Sequence, residues 1–116
     1  MNDFDKKLLK ICKIGNIEVI EYLISQTSDT YTKKFALIAA IKNRRFEVVK
    51  YLISQEVKVD TDALVWAHFF GNINIFFYLL FNYPKEGRMF WVKHYNLNAH
   101  PKYYQLIRGT INEEIQ

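Results

Sequence analysis

The sequence predicts an all-α fold, a helical-repeat solenoid of three to four helix pairs, and three observations lead there. The phrase GNIEVIEYLISQ at residues 15–26 returns as RRFEVVKYLISQ at 44–55 and, more loosely, as GNINIFFYLLFN at 71–82. Glu18, Val19, Tyr22, Leu23, Ile24, Ser25 and Gln26 recur unchanged at Glu47, Val48, Tyr51, Leu52, Ile53, Ser54 and Gln55. Offsets of 29 and 27 residues are those of stacked supersecondary units. Apolar positions inside each copy fall three and four apart, and polar, Gly- or Asn-containing breaks separate the copies into paired helices.

The first unit, about 3–29, opens with a helix that Asp3 or Asp5 is expected to cap. Leu8, Leu9, Ile11, Cys12 and Phe4 form its apolar side, and Lys6, Lys7, Lys10 and Lys13 its polar side. Gly15 and Asn16 tolerate the left-handed geometry that ends helices, so they mark its stop. Ile17, Val19, Ile20, Leu23 and Ile24 then predict a second helix over Ile17–Ser25, with Glu18 and Glu21 facing outward.

The second unit, about 30–58, follows a polar linker that ends in a helix cap at Thr30 or Thr32. Residues 35–41 form its first helix, whose alanines admit close neighbours on both sides. Asn43, Arg44 and Arg45 stand where the first unit has its glycine turn, and the next helix covers Phe46–Ser54.

In the third unit, about 59–84, Asp60, Thr61 or Asp62 caps a helix in which Ala63, Leu64 and Ala67 align with Ala36, Leu37 and Ala40. Gly71 and Asn72 form the turn, and Pro84 and Gly87 close the unit. Residues 63–84 hold no Asp, Glu, Lys or Arg, and their length is near the roughly 20 residues of a membrane span. Gly71, Asn72 and Asn74 interrupt the stretch where the other copies turn, so two helices and no membrane span are expected. A capping segment, 85–116, is expected to hold one helix near 89–95, another after Pro101, and a frayed end over 110–116.

The whole chain, 1–116, reads as one domain: 116 residues with 50% hydrophobic and 16% aromatic content bury a core. The formal charge of +4 tolerates an acidic partner without demanding one. Cys12 is the single cysteine, so no internal disulfide forms, and an intracellular, cytoplasmic location fits.

A leucine and an alanine in the first helix, a Gly-Asn turn, then E-V-V-K-Y-L-I: together these resemble the ankyrin repeat family. The matching residues are Leu37, Ala40, Glu47, Val48, Val49, Lys50, Tyr51, Leu52 and Ile53, then Leu64, Ala67, Gly71 and Asn72. In the first unit they are Leu8, Gly15, Asn16, Glu18, Val19, Tyr22 and Leu23. The Ile/Asn/Lys/Tyr-rich copies are similar in style to ankyrin proteins of large DNA viruses or intracellular microbes. Ankyrin units run about 33 residues and open on a Thr-Pro-Leu-His hairpin. The shorter spacing and missing Thr-Pro here imply short or absent hairpin fingers. The resemblance implies ankyrin-like helix pairs and a non-catalytic module that binds another protein, acting as a monomer or weak homodimer and serving as a viral or microbial host-interaction adaptor.

No motif for catalysis, a phosphate loop or a zinc site is present, and Cys12, His68, His94 and His100 match no metal-ligand spacing, so no enzyme, cofactor or metal is expected. The expected partner-binding residues lie at the end of each first helix and its turn: Lys13 and Ile14, Lys42 and Asn43 with Arg44 and Arg45, and Phe69 and Phe70. That placement follows from the resemblance, since this end of the inner helix commonly touches the partner in ankyrin proteins. Two readings stay open for the Phe pair: an exposed anchor, or rings buried against Phe90, Trp91, Tyr95, Tyr103 and Tyr104. Two also stay open for Lys6, Lys7, Lys10, Lys13, Lys33, Lys34, Lys42, Arg44 and Arg45: a solvated face, or a basic stripe for nucleic acid or another polyanion.

Overall fold

The computed structural model describes residues 2–27, 29–70 and 73–94. It shows seven helices and no strand among them: α1 (Asp3–Ile14), α2 (Ile17–Ser25), α3 (Thr30–Lys42), α4 (Phe46–Ser54), α5 (Thr61–Phe69), α6 (Ile73–Phe81) and α7 (Lys85–His94). The chain divides into two compact units between Leu79 and Leu80.

Local chemistry sets the helix ends in the first unit. Asn2 caps α1 by accepting from the Asp5 N–H at 2.8 Å, so Asp3 and Asp5 lie in the first turn and neither is the cap. Gly15, at φ 86°, ends α1 in the left-handed region, and its N–H returns to the Ile11 carbonyl. Asn16 at once caps α2 through the Val19 N–H. Asp29, rather than Thr30 or Thr32, caps α3 by accepting from Tyr31 N–H. Asp60 caps α5 through Ala63 N–H at 3.0 Å.

The first helices α1, α3 and α5 pack in series with α3 in the middle, and α2 packs on α4. Ala36, Ala39 and Ala40 of α3 and Ala63 and Ala67 of α5 are buried, which lets neighbouring backbones approach closely. Leu8, Leu37 and Leu64 occupy the same place in successive copies, and each is sealed from solvent. The outer helices bury Ile20, Leu23 and Ile24 in α2 and Val48, Val49 and Leu52 in α4, the apolar positions of the repeated phrase. Linkers 26–29 and 55–60 carry no strand among the described residues, in line with the expected lack of fingers.

Within 63–84, residues 63–69 belong to α5 and residues 73–81 to α6; among the described residues no helix is long and apolar enough to cross a membrane. The predicted turn at Gly71 and Asn72 lies outside the described residues.

In the second unit, α7 starts directly after Pro84, four residues before the expected 89, and Gly87 sits inside it rather than closing the third repeat. A Cβ at Gly87 would lie 2.3 Å from the Tyr83 ring, so only glycine lets that ring lie on the helix. Arg88 is 7% exposed; its guanidinium donates to the Tyr83 carbonyl at 3.1 Å and to the Phe81 carbonyl, at the end of α6, at 2.6 Å. Trp91 is buried with its ring edge-on to Tyr83. The helix expected after Pro101 and the fraying expected over 110–116 lie outside the described residues.

Candidate functional site: the face of the first helices

Amphipathic helices hide their apolar side, but residues 35–41 of α3 and residues 63–67 of α5 are apolar all round, so burying one side leaves apolar groups on the other. In α3, Ala36, Leu37, Ala40 and Ile41 face inward, while Phe35 stays 50% exposed and Ile38 half-buried. In α5, Leu64 and Ala67 are inside, whereas Phe69 is 76% exposed and Val65, Trp66 and the adjoining Phe70 are half-buried.

Between α1 and α3 this leaves an open cleft of about 270 Å³ lined by Leu9, Lys13, Phe35, Ile38, Lys42 and Asn43, with Ala39 at its floor. Lys13 and Lys42 hold equivalent places in their copies, one residue before Ile14 and Asn43. The Lys42 ammonium lies 4.0 Å above the centre of the Trp66 ring. Trp66 in turn meets Phe70 at 5.7 Å and Phe69 at 6.2 Å between ring centres, and Phe69 and Phe70 lie edge to face. The surface therefore runs from an aliphatic cleft to a three-ring cluster, with Lys42 at the junction.

Polar ties fasten both ends of this surface. Thr32 is buried and its hydroxyl donates to Asp5 Oδ1 at 3.0 Å, joining α3 to α1. Lys34 Nζ pairs with Asp60 Oδ2 at 2.6 Å and Asp62 Oδ2 at 3.5 Å, joining α3 to the start of α5. Partial burial raises the Asp60 carboxyl, but the Lys34 ammonium and the Ala63 N–H outweigh it and hold the group below its usual value. The hydrogen bond and charge of Asp60 in turn push Lys34 upward.

At the other end, Arg45 Nε donates to the Lys13 carbonyl at 2.8 Å, and Arg44 Nη2 donates to the Phe70 carbonyl at 2.9 Å. Both guanidiniums thus satisfy carbonyls that helix ends leave open, one on the preceding copy and one on the following.

Of the expected site residues, Lys13, Lys42 and Asn43 come together on the cleft, Ile14 is 58% exposed beside it, and Phe69 and Phe70 form the cluster with Trp66. Arg44 and Arg45 border the face but are spoken for by backbone. Lys34, counted among the basic residues, is paired with carboxylates. Leu9, Phe35, Ile38 and Trp66 were not among the expected partner-binding residues. The signal was there in Leu9 and Ile38, each four residues before a flagged lysine and so on the same helical face.

A second groove of about 580 Å³ lies between the start of α3 and residues 55–60, lined by Thr30, Lys33, Gln55, Val57 and Lys58 among others. Glu56 turns the chain there at φ 65°. Cys12 is fully buried, and desolvation pushes its thiol up to about 12, so it stays protonated and unreactive at neutral pH.

Residues 8–88 match the family described as ankyrin repeats (3 copies). No curated protein and no solved structure matches the chain. Ankyrin repeats generally mediate protein–protein interaction and typically serve as non-catalytic modules. With α1, α3 and α5 packed in series, α2 on α4, the repeated outer-helix phrase and the family match over the same residues, the chain belongs to the ankyrin repeat family.

Proposed function

We propose that the chain is a non-catalytic protein-binding module whose partner seats on the face of α1, α3 and α5 and the turns beside it. The observation that carries this is the run of exposed apolar side chains on that face: Ile14, Phe35 and Phe69, 58%, 50% and 76% exposed. Large apolar side chains left exposed together on one face, beside lysines, are what interaction sites on soluble proteins present. Exposed aromatic anchors are the residues that dominate interface energies. The competing reading, a basic stripe for nucleic acid, is weakened at Lys34, whose charge is met by Asp60 and Asp62, whereas Arg44 and Arg45 are anchored to carbonyls and keep theirs. The Ile/Asn/Lys/Tyr-rich style of the copies supports extending the reading to a viral or microbial host-interaction adaptor.

Phe69→Ser tests the core of the proposal. The side chain is mostly in solvent, so the unfolding midpoint is expected to hold while cross-linking to proteins in a cell extract is lost. An unchanged cross-linking pattern would remove this face from the interaction.

A further inference from the structure

We propose that the cleft between α1 and α3 receives an acidic peptide segment carrying one bulky apolar side chain, which enters between Phe35 and Ile38 while neighbouring carboxylates meet Lys13 and Lys42. This rests on the protein-binding reading above and names the chemistry of the partner.

The charge argument begins in the sequence. Residues 6–17, 33–46 and 63–85 contain no Asp or Glu, and these stretches supply most of the first helices and the turns after them. The acids that border the same face sit at its opposite end and are engaged: Asp5 accepts from Thr32, and Asp60 and Asp62 take Lys34. The residues lining the cleft include two ammonium groups and no carboxylate. Helix C-termini contribute negative potential, about half a charge each. Lys13, Lys42, Arg44 and Arg45 bring four full charges to the ends of α1, α3 and α5, so the balance there is positive.

Shape selects the class of anion. The cleft is open and, at about 270 Å³, has room for a single large side chain. Its walls at Leu9, Phe35 and Ile38 are apolar, which repays burial of a leucine or phenylalanine and offers nothing to a phosphodiester. Arginine is the residue best matched to phosphate, and neither Arg44 nor Arg45 lines the cleft; each is anchored through one N–H to a carbonyl, 2.9 and 2.8 Å away. Lys42 is held over Trp66, so part of its ordering cost is met before a ligand arrives.

Selection from a displayed library of short random peptides tests the proposal, with the full chain as bait. Peptides with Asp or Glu flanking a Leu, Phe or Trp are expected to be enriched. Their affinity should fall about tenfold for Phe35→Ser and for Lys13→Gln/Lys42→Gln, with the melting curve of each variant recorded so that lost binding is read only from folded protein. Charge reversal, Lys13→Glu/Lys42→Glu, should switch the enriched flanks to Lys and Arg. Enrichment of neutral or basic peptides that lose binding to Phe69→Ser bait would overturn the acidic chemistry and leave the protein-binding reading standing. Enrichment of nothing would count against both, and tighter binding of a labelled oligonucleotide than of any selected peptide would replace the peptide with nucleic acid.

Discussion

At the scale of single residues, the instructive pair is Gly15 and Arg45. Gly15 has two separate reasons to lack a side chain: its φ of 86° strains any other residue, and a Cβ there would stand 2.9 Å from Arg45 Cδ. Gly15→Ala is therefore expected to cost about 1–2 kcal/mol from backbone strain alone, with more from displacing Arg45. Arg45→Ala should lose about 1 kcal/mol with its hydrogen bond to Lys13. The double variant removes the clash, so its loss should be smaller than the sum of the two. Chemical denaturation of the four proteins measures this, and simple additivity would show that the arginine stem does not press on Gly15. Arg44 carries its Cβ at φ 58° in the equivalent position, held by the Phe70 carbonyl. The glycine stop was legible in the sequence because a left-handed helix end is a local requirement. What could not be read was the reach of Arg45 to a carbonyl 32 residues away, which only stacking creates.

At the scale of the element, α3 is decisive because it packs against a first helix on each side. Its alanines were recognisable as a close-packing surface, and Ala36 and Ala40 are indeed fully buried. Ala40→Leu should destabilise the protein by about 1–3 kcal/mol through overpacking, read as a lower denaturation midpoint. If the midpoint holds, the spacing of α1, α3 and α5 is looser than described. The helix's cap was harder to find. Thr27, Asp29, Thr30 and Thr32 all have competent oxygens, and the general preference for Asp over Thr does not by itself fix the position from which the helix starts. Tertiary contact does: Thr32 is used by Asp5, and Asp29 is left to receive the Tyr31 N–H. The same limit hid half of the candidate site. A helix apolar on every side does not announce which side its neighbours will cover, so Phe35 and Ile38 looked like core.

At the scale of the whole molecule, stability in a repeat protein is a sum of units and of the interfaces between them. Asp60 belongs to both, since it caps α5 and pairs with Lys34 of α3. Its carboxyl is held low in the folded chain, so its stabilisation is complete above the unfolded value of about 3.9 and is lost as pH falls through the folded value. Lys34 is raised, so its share is present below the usual lysine range and is lost as pH rises through the folded value. Asp60→Asn keeps a capping oxygen but no charge. It should cost under about 1 kcal/mol at neutral pH, since the pair is partly exposed, and should flatten the acid side of a stability-against-pH curve. An acid limb identical to that of the unaltered protein would assign the loss to other carboxylates. The two-way grip of Arg44 and Arg45 carries a consequence for how such an array can grow. The middle copy needs a glycine before it, where Gly15 lets the Arg45 stem pass. Duplicated in tandem, it would meet its own Arg44 at that position, side chain against side chain. The copies are thus not interchangeable modules: lengthening the array by gene duplication or by design has to set a glycine-turn unit before each arginine-turn unit, an ordering rule written at the junctions rather than in the repeated phrase.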